Sequence, residues 1–384
     1  MMMKKALGAA ASAVLVIGAS TMGATAAQAA EPVYNVKLSA YAKPGTDAGP
    51  ALVRAAKAVQ AKSGWQGGTI FVDGQYLMNT TIQLDEVVGA ATPNNNQKVW
   101  NKVTLVGSGV GASKLKRTAN GPMFRMYRTD ITHDPTKWYS GTYLSNVGYK
   151  DMGFEYAPGV TGYVWELGSG AITSGQWHGI RVDHYGNGGI MYVGRGTTGK
   201  GGGQYHSNSW RDVTLEMHSK TNPYIPMRFA SAGHYINGNL FDKVWAHHHL
   251  NDKAPFFVFR PSGSGKTASD SGRYTNTSFR SITGEQNLGG LIHMWGASGV
   301  DLTAISEWDG DCPGYASSII GFNNNSSTKT NGVTISGSGQ LAYNYAPARN
   351  DSRTVWVAPG ATNVVSNGTP INRPIPVSGS KTCK

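Results

Sequence analysis

Short apolar runs recur along the chain, separated by polar and glycine-rich segments. Each run begins with an aromatic or aliphatic residue and has Val, Ile or Met three positions later; all but the last, which ends with Glu307, have an apolar or small residue two positions after that. The pattern occurs at residues 149–154, 177–182, 210–215, 241–246, 279–284 and 302–307, about 23 to 38 residues apart. Such a repeat predicts stacked turns of a solenoid, because each turn buries its apolar face only against its neighbours. A β-sandwich with coincidental patterning is the alternative.

Alternation along each strand predicts which side chains point outward. If Val213, Val244 and Ile282 face the core, the residues between the core positions project from the surface. We therefore expect three outward rows, whose members stand about 4.8 Å apart from turn to turn. The rows are Asp151, Gly179, Asp212, Lys243 and Ser281; Arg181, Thr214, Trp245 and Thr283; and Glu155, Asp183, Glu216, His247 and Glu285.

One amphipathic helix is predicted near the start of the mature chain, over residues 50–62. Asp47 or Thr46 can cap it, Pro50 suits its first turn, and the apolar residues Leu52, Val53, Ala56 and Val59 share one face. The segment that follows, GGTIFVDGQYL at residues 67–77, predicts a strand, a turn and a second strand. Across the whole chain, 51 glycines and only 15% charged residues favour strands and turns over helices.

The helix and the GGTIFVDGQYL segment together resemble the start of the pectate-lyase-like β-helix proteins, over residues 40–84. The resemblance implies an all-β fold: a single-stranded right-handed parallel β-helix, or solenoid, with an N-terminal capping helix. No linker or low-complexity segment divides the chain, so we expect one β-helix domain over residues 30–384.

Residues 1–29 have the order of a secretory signal peptide. Lys4 and Lys5 precede an apolar run at residues 9–17, and Ala27-Gln28-Ala29 suits cleavage. A membrane helix is the alternative, but the apolar run is shorter than the roughly 20 residues that span a bilayer. We therefore expect a secreted, extracellular protein, in which the two cysteines, Cys312 and Cys383, pair as a disulfide that holds the C-terminal tail.

The chain has a formal net charge of +12, part of which the signal lysines carry. A basic secreted protein attracts polyanions. The sequence has no helix-turn-helix, RNP or zinc pattern that would indicate nucleic acid. An acidic polysaccharide is therefore the expected partner, with no membrane association and a monomeric state.

Proton-transfer groups and cations are concentrated at residues 204–251, a mixture suited to β-elimination from a uronate polymer. That reaction needs a group to neutralise the carboxylate, a base, and an acid for the departing oxygen. The chain is similar to polysaccharide lyase family 31 in its length, its secretion and the start of its fold, and in having a Tyr followed about forty residues later by a Lys. Members of that family act on poly-mannuronate and related glucuronans. The resemblance implies that Tyr205 and Lys243 transfer the protons, with Tyr185 or Tyr235 as alternatives to Tyr205. We add His206 as a catalytic candidate and expect the substrate to contact Arg181, His184, Arg211, Arg228, Trp245 and His247.

Two other function classes remain open. A glycoside hydrolase would use paired carboxylates, either Asp183, Glu216 and Glu285 or Glu307, Asp309 and Asp311. A non-catalytic polysaccharide-binding protein would need only the basic face. His247, His248 and His249 are consecutive, and alternation prevents three adjacent strand residues from sharing one site, so no metal site is predicted. We expect no cofactor, and the sequence leaves a need for calcium open.

Overall fold

A computed structural model describes residues 34–87, 97–126, 143–168, 170–194, 203–230, 235–249, 254–260, 273–287, 289–308, 320–324, 329–337, 355–358, 360–366 and 369–370. The predicted signal peptide and both cysteines of the predicted disulfide lie outside these residues, so both remain predictions. The described strands belong to one compact unit that spans Val33–Lys384. No helix in the described ranges is long and apolar enough to cross a bilayer.

The described part of the chain is mostly β-structure, as the short apolar runs predicted. Its strands are β1 Tyr34–Lys37, β2 Gly68–Val72, β3 Gln75–Leu77, β4 Ile82–Gln83, β5 Val103–Gly107, β6 Lys114–Arg117, β7 Phe124–Met126, β8 Tyr143–Ser145, β9 Gly148–Lys150, β10 Gly153–Tyr156, β11 Thr161–Leu167, β12 Gly170–Thr173, β13 Gln176–His178, β14 Arg181–His184, β15 Asn187–Val193, β16 Gly203–His206, β17 Ser209–Met217, β18 Met227–Phe229, β19 Tyr235–Asn237, β20 Leu240–His248, β21 Phe257–Phe259, β22 Arg273–Thr275, β23 Ser278–Glu285, β24 Ile292–Trp295, β25 Ala297–Thr303, β26 Ser306–Trp308, β27 Ile320–Asn323, β28 Asn331–Ser336, β29 Val355–Val357, β30 Thr362–Ser366 and β31 Thr369–Pro370.

These strands form long parallel stacks, in which each strand pairs with the equivalent strand of the next pass of the chain. The first stack runs β1, β2, β5, β9, β13, β17, β20, β23, β25, β28 and β30, and the second runs β3, β6, β10, β14, β17, β20, β23 and β26. A third stack contains β8, β12, β16, β19, β22 and β25, and a separate sheet contains β4, β7, β11, β15, β18, β21, β24, β27 and β29. Only β30 and β31 pair antiparallel among the described strands. The predicted alignment of β17 with β20 is confirmed, because Trp210 pairs with Phe241 and Val213 with Val244.

The interior contains a ladder of aromatic rings from successive passes, formed by Tyr149, Trp177, Trp210, Phe241 and Phe279. Consecutive rings stack at centroid distances of 5.8, 4.9, 6.3 and 4.9 Å. All five side chains are at most 1% exposed. Each ring buries a large apolar area and stacks on the next ring, so the aromatic position of the repeat holds neighbouring passes together.

Strands β17, β20 and β23 belong to both the first and the second stack because each bends at one residue. Asp212, Lys243 and Ser281 occupy these bends with φ of 53°, 52° and 52°. The predicted first outward row therefore does face outward, but at left-handed corners and not within flat strands. A left-handed conformation disfavours side chains with a Cβ, which is why Gly179 suits the equivalent corner at φ 61°.

The predicted helix is present as α1, Gly49–Lys62, the one α-helix in the described ranges; a short 3-10 turn, Leu38–Ala40, precedes it. Its apolar face is buried and packs on β1, β2 and β4. The carboxylate of Asp47 accepts hydrogen bonds from the backbone N–H of Gly49 at 3.1 Å and from the Thr80 hydroxyl at 2.6 Å. Asp47 thus links the start of the helix to the loop before β4.

Candidate functional site

The outward side chains of the second stack form the face on which the candidate site lies. Backbone pairing aligns Glu155, Asp183, Glu216, His247 and Glu285 as one row. It aligns Arg181, Thr214, Trp245 and Thr283 as the row beside it. Both predicted rows are confirmed, and we call this surface the outer face.

Arg181 holds two carboxylates together at the centre of the outer face. Its Nη2 lies 3.0 Å from Asp183 Oδ1 and 2.7 Å from Glu216 Oε1, and its Nε donates to both oxygens of Asp183 at 3.0 Å. Burial acts to raise the pKa of Asp183, but the hydrogen bond from His218 and the charge of Arg181 outweigh it and lower that pKa. The Asp183 carboxyl is therefore ionised at neutral pH.

His218 and Tyr185 extend this centre toward solvent. His218 Nε2 lies 3.4 Å from Asp183 Oδ1 and 3.5 Å from Glu216 Oε2. The ring of Tyr185 stacks on that of His218 at 4.1 Å, and the tyrosine is 41% exposed. Burial and the nearby carboxylates, Asp183 first among them, raise the pKa of Tyr185, so its hydroxyl keeps its proton at neutral pH.

Two imidazoles adjoin the same centre, from His247 in β20 and from His249 just after that strand. The rings of His247 and His249 lie 3.9 Å apart, and His249 lies 4.9 Å from the ring of His218. Burial, followed by His247, His218 and Lys220, lowers the pKa of His249 to about 4. His248 points inward and is fully buried, as alternation predicted. The centre of the outer face therefore combines two carboxylates, three imidazoles, a guanidinium and a phenol.

The two residues predicted to transfer protons are not brought together. Tyr205 lies in the interior with no exposure, and its hydroxyl accepts a 2.7 Å hydrogen bond from Trp210 Nε1. Burial raises its pKa well above the usual value, which opposes formation of a phenolate base. Lys243 stands on the outside at its corner, 3.4 Å from Asp212, with both side chains more than 60% exposed. Tyr205 therefore faces the interior while Lys243 faces solvent, so this structure does not support Tyr205 as the partner of Lys243.

Two predicted histidines also lie away from the outer face. His206 is half-buried, contacts the ring of Tyr143 edge-on at 6.1 Å, and has a pKa lowered by burial. His184 is fully buried, with Nε2 3.0 Å from the carbonyl oxygen of Gly162 and its ring stacked on Tyr156 at 4.3 Å. His184 thus has a structural position in the core, and the prediction that it contacts substrate is not supported.

The remaining predicted contacts divide between three surfaces. Trp245 is 45% exposed on the outer face, next to His247. Arg211 is exposed on the first stack, in a row with Lys150, His178, Asp242 and Arg280. Arg228 belongs to β18 in the separate sheet, where its guanidinium lies 5.7 Å from the ring of Tyr192. It therefore lies on a different surface from Trp245 and Arg211.

The carboxylates considered for a hydrolase are also distributed. Asp183 and Glu216 lie together, and Glu285 follows in the same row beyond His247. Glu307 is buried, 1% exposed, and accepts hydrogen bonds from the backbone and side chain of Asn287. Asp309 and Asp311 lie outside the described residues.

Sequence reasoning did not place Tyr185, His218 and His249 on the outer face: it named Tyr185 only as an alternative to Tyr205, named His249 only within the run of three histidines, and did not name His218. Each follows a member of the predicted third row by two positions: Tyr185 follows Asp183, His218 follows Glu216, and His249 follows His247. Because side chains two positions apart face the same side of a strand, extending the alternation by one step would have found all three.

No family model and no curated protein matches this chain. Among solved structures it is similar to ORF18 of Geobacillus virus E2, with a TM-score of 0.37 and 14% identity over 79% of this chain and 58% of that one. It is also similar to the A-module of the mannuronan C-5 epimerase AlgE4 of Azotobacter vinelandii, with a TM-score of 0.24 and 11% identity over 86% of this chain and 100% of that one. A third is the catalytic domain of Agl-KA, with a TM-score of 0.28 and 12% identity over 88% and 69%. The chain thus spans less than two thirds of the viral protein, and similarities at this level leave its family undefined.

Proposed function

We propose that this chain is a secreted polysaccharide lyase that cleaves a uronic-acid polymer, such as poly-mannuronate or glucuronan, by β-elimination on the outer face. The scaffold in this proposal is a right-handed parallel β-helix whose first turn is covered by α1. The observation that carries the proposal is the surface group of Tyr185, His218 and Asp183, which combines a protonated phenol with an imidazole supported by a carboxylate.

His218 is the proposed base. A carboxylate only accepts hydrogen bonds, so Asp183 favours the tautomer of His218 with its proton on Nε2. The lone pair on Nδ1 is then available for the proton next to the uronate carboxyl group. Asp183 also stabilises the imidazolium that forms, as the carboxylate does in a catalytic triad.

Tyr185 is the proposed acid. Its raised pKa keeps the proton on the phenol, and its exposure gives a polymer access to the hydroxyl. In the reaction the C–H electron pair forms the new carbon–carbon double bond while the glycosidic C–O bond breaks. His218 keeps the abstracted proton, and Tyr185 gives its own proton to the departing oxygen.

Cations beside the centre supply the attraction for a polyanion. Arg181 remains 41% exposed, and Asp183 and Glu216 outweigh the effect of burial to raise its pKa, so its charge is permanent. We propose that it meets the uronate carboxyl group. Across the corner, Lys150, Arg211 and Arg280 recur on every second strand of the first stack, with His178 and Asp242 on the strands between them. A polymer with a carboxylate on each sugar can contact several of them at once.

A glycoside hydrolase is the second candidate, because ligand oxygens of Asp183 and Glu216 lie within 4.8 Å of each other. Hydrolysis needs one carboxylic acid whose pKa is raised, so that it can protonate the leaving group. The pKa of Asp183 is instead lowered, and Arg181 binds both carboxylates. The lyase is therefore the better supported reaction.

The test is product analysis of the full chain on a panel of acidic polysaccharides. Ultraviolet absorbance should reveal unsaturated uronyl ends, and His218→Asn and Tyr185→Phe should each slow their release about 100-fold or more. The matched controls are His206→Asn and Tyr224→Phe, the latter on a tyrosine that is 38% exposed beside Tyr163; both should retain activity.

Three results would contradict the proposal. New reducing ends without unsaturation would indicate hydrolysis. Binding that leaves every polymer of the panel intact would indicate a non-catalytic binding protein. Normal release of unsaturated product by both site variants would place the chemistry elsewhere on the chain.

A further inference from the structure

Glu216, His247 and His249 present three metal-ligating side chains at the edge of the outer face. Glu216 and His247 are direct neighbours in the parallel pairing of β17 and β20, and His249 faces the same side two positions later. Their ligand atoms all lie within 4.8 Å of one another. Zinc bound at about 2.0 to 2.2 Å by nitrogen and oxygen needs ligand atoms roughly 3.4 Å apart, so small side-chain rotations close the site.

The hydrogen bonding of His247 prepares it to bind a metal. Its Nε2 lies 3.1 Å from Gln286 Oε1, and an amide oxygen only accepts, so Nε2 carries the proton. The lone pair then resides on Nδ1. Metal-ligating histidines commonly use their second nitrogen in this way, which fixes both the tautomer and the ring orientation.

His249 supplies the second, independent observation. Its Nε2 is buried and has no hydrogen-bond partner, a costly state for a polar atom. The backbone holds the residue firmly, because its N–H donates to the Met217 carbonyl oxygen at 3.1 Å and it bridges to Asn287. A metal ion would supply the missing partner without moving the main chain.

We propose that Glu216, His247 and His249 bind one divalent transition-metal ion, of which Zn²⁺ is the representative. Two imidazoles with one carboxylate suit Zn²⁺, Co²⁺, Ni²⁺ or Cu²⁺, whereas Ca²⁺ and Mg²⁺ prefer sites made of oxygen ligands. Three protein ligands leave at least one coordination position for water or a ligand. This binding does not depend on the proposed lyase reaction.

A second group of ligands shares Glu216 but is less suited to a cation. Asp183, Glu216 and His218 also have ligand atoms within 4.8 Å of one another. Both oxygens of Asp183, however, already accept hydrogen bonds from Arg181, which leaves this carboxylate less able to bind an ion. The group with two imidazoles is therefore the site, and Glu216 can use Oε2 while Arg181 binds Oε1.

The experiment uses the full chain without a histidine tag, stripped with EDTA and titrated with Zn²⁺ by calorimetry. We expect one ion per chain, and Co²⁺ in place of Zn²⁺ should give the visible absorption of nitrogen and oxygen ligands. His247→Gln and His249→Gln should each weaken binding more than about tenfold, and Gln286→Leu by about tenfold through the lost orientation of His247. The control is His206→Gln, which should bind as the parent protein does.

The melting temperature in EDTA checks that each variant is folded, and the variants should match the parent protein there. Adding Zn²⁺ should raise the melting temperature only when the ligands are intact. Failure of the parent to bind Zn²⁺, or unchanged binding by His249→Gln, would overturn the proposal. A thiolate absorption band with Co²⁺ would do the same by assigning the ion to cysteine. Because none of these readouts is catalytic, an inactive protein can still confirm the site.

Discussion

The buried imidazole of His184 predicts that acid weakens this fold. Burial lowers the pKa of His184 to about 4, against 6.5 for a free imidazole. The unfolded chain therefore binds a proton as the pH falls below 6.5, whereas the folded protein resists it until about pH 4. The contribution of the neutral ring to the free energy of unfolding is fully present above pH 6.5. That contribution declines as the pH falls from 6.5 to about 4.

The two pKa values set the size of the effect. A difference of about 2.5 units corresponds to about 3 kcal/mol in total, of which about 2 kcal/mol is lost between pH 7 and pH 5. His184→Phe removes the titrating group while keeping a ring that can stack on Tyr156. At pH 7 the variant should lose about 1 kcal/mol with its hydrogen bond to the Gly162 carbonyl oxygen. Its stability should then decline less steeply with acid than that of the parent.

The assay is urea unfolding at pH 7, 6 and 5, followed by tryptophan fluorescence, with refolding from urea to establish reversibility. His206→Phe is the matched control, because that imidazole is only half-buried and should change the slope less. If His184→Phe and the parent lose the same free energy between pH 7 and pH 5, the buried neutral imidazole is not the cause of the acid sensitivity.

Two further predictions concern the corners of the outer rows. Ala304→Gly should raise the free energy of unfolding by up to about 1 kcal/mol, since Ala304 has φ 53° and glycine adopts that conformation without steric cost. The control is Ala171→Gly, in a strand, which should lower the free energy of unfolding by a similar amount. Equal effects of the two substitutions in urea unfolding would contradict the argument. Lys243→Ala should change stability by less than about 0.5 kcal/mol, because its ion pair with Asp212 is exposed to solvent, and it should retain lyase activity. Loss of unsaturated product in a folded Lys243→Ala protein would restore Lys243 to the catalytic group.

The sequence by itself determined the stacking of the strands and the composition of the outward rows. Side chains alternate with a period of two, and each pass of a repeating fold buries the same position, so the alignment of Trp210 with Phe241 followed from spacing alone. The same rule aligned Arg181 with Trp245 and Asp183 with His247. These features depend on local periodicity, which a sequence displays directly.

Only the tertiary structure decided whether each candidate side chain faces the interior or the solvent, and which of these side chains contact one another. Tyr205 was expected to transfer a proton to or from the substrate, yet its strand pairs with β12 and β19 in a register that turns the phenol inward, against Trp210. Lys243 occupies a left-handed corner that alternation does not describe. The meeting of His218 with Tyr185 depends on residues from different passes, more than thirty positions apart in the chain. Such contacts are set by the relative placement of whole passes, which the spacing of residues within one strand does not encode.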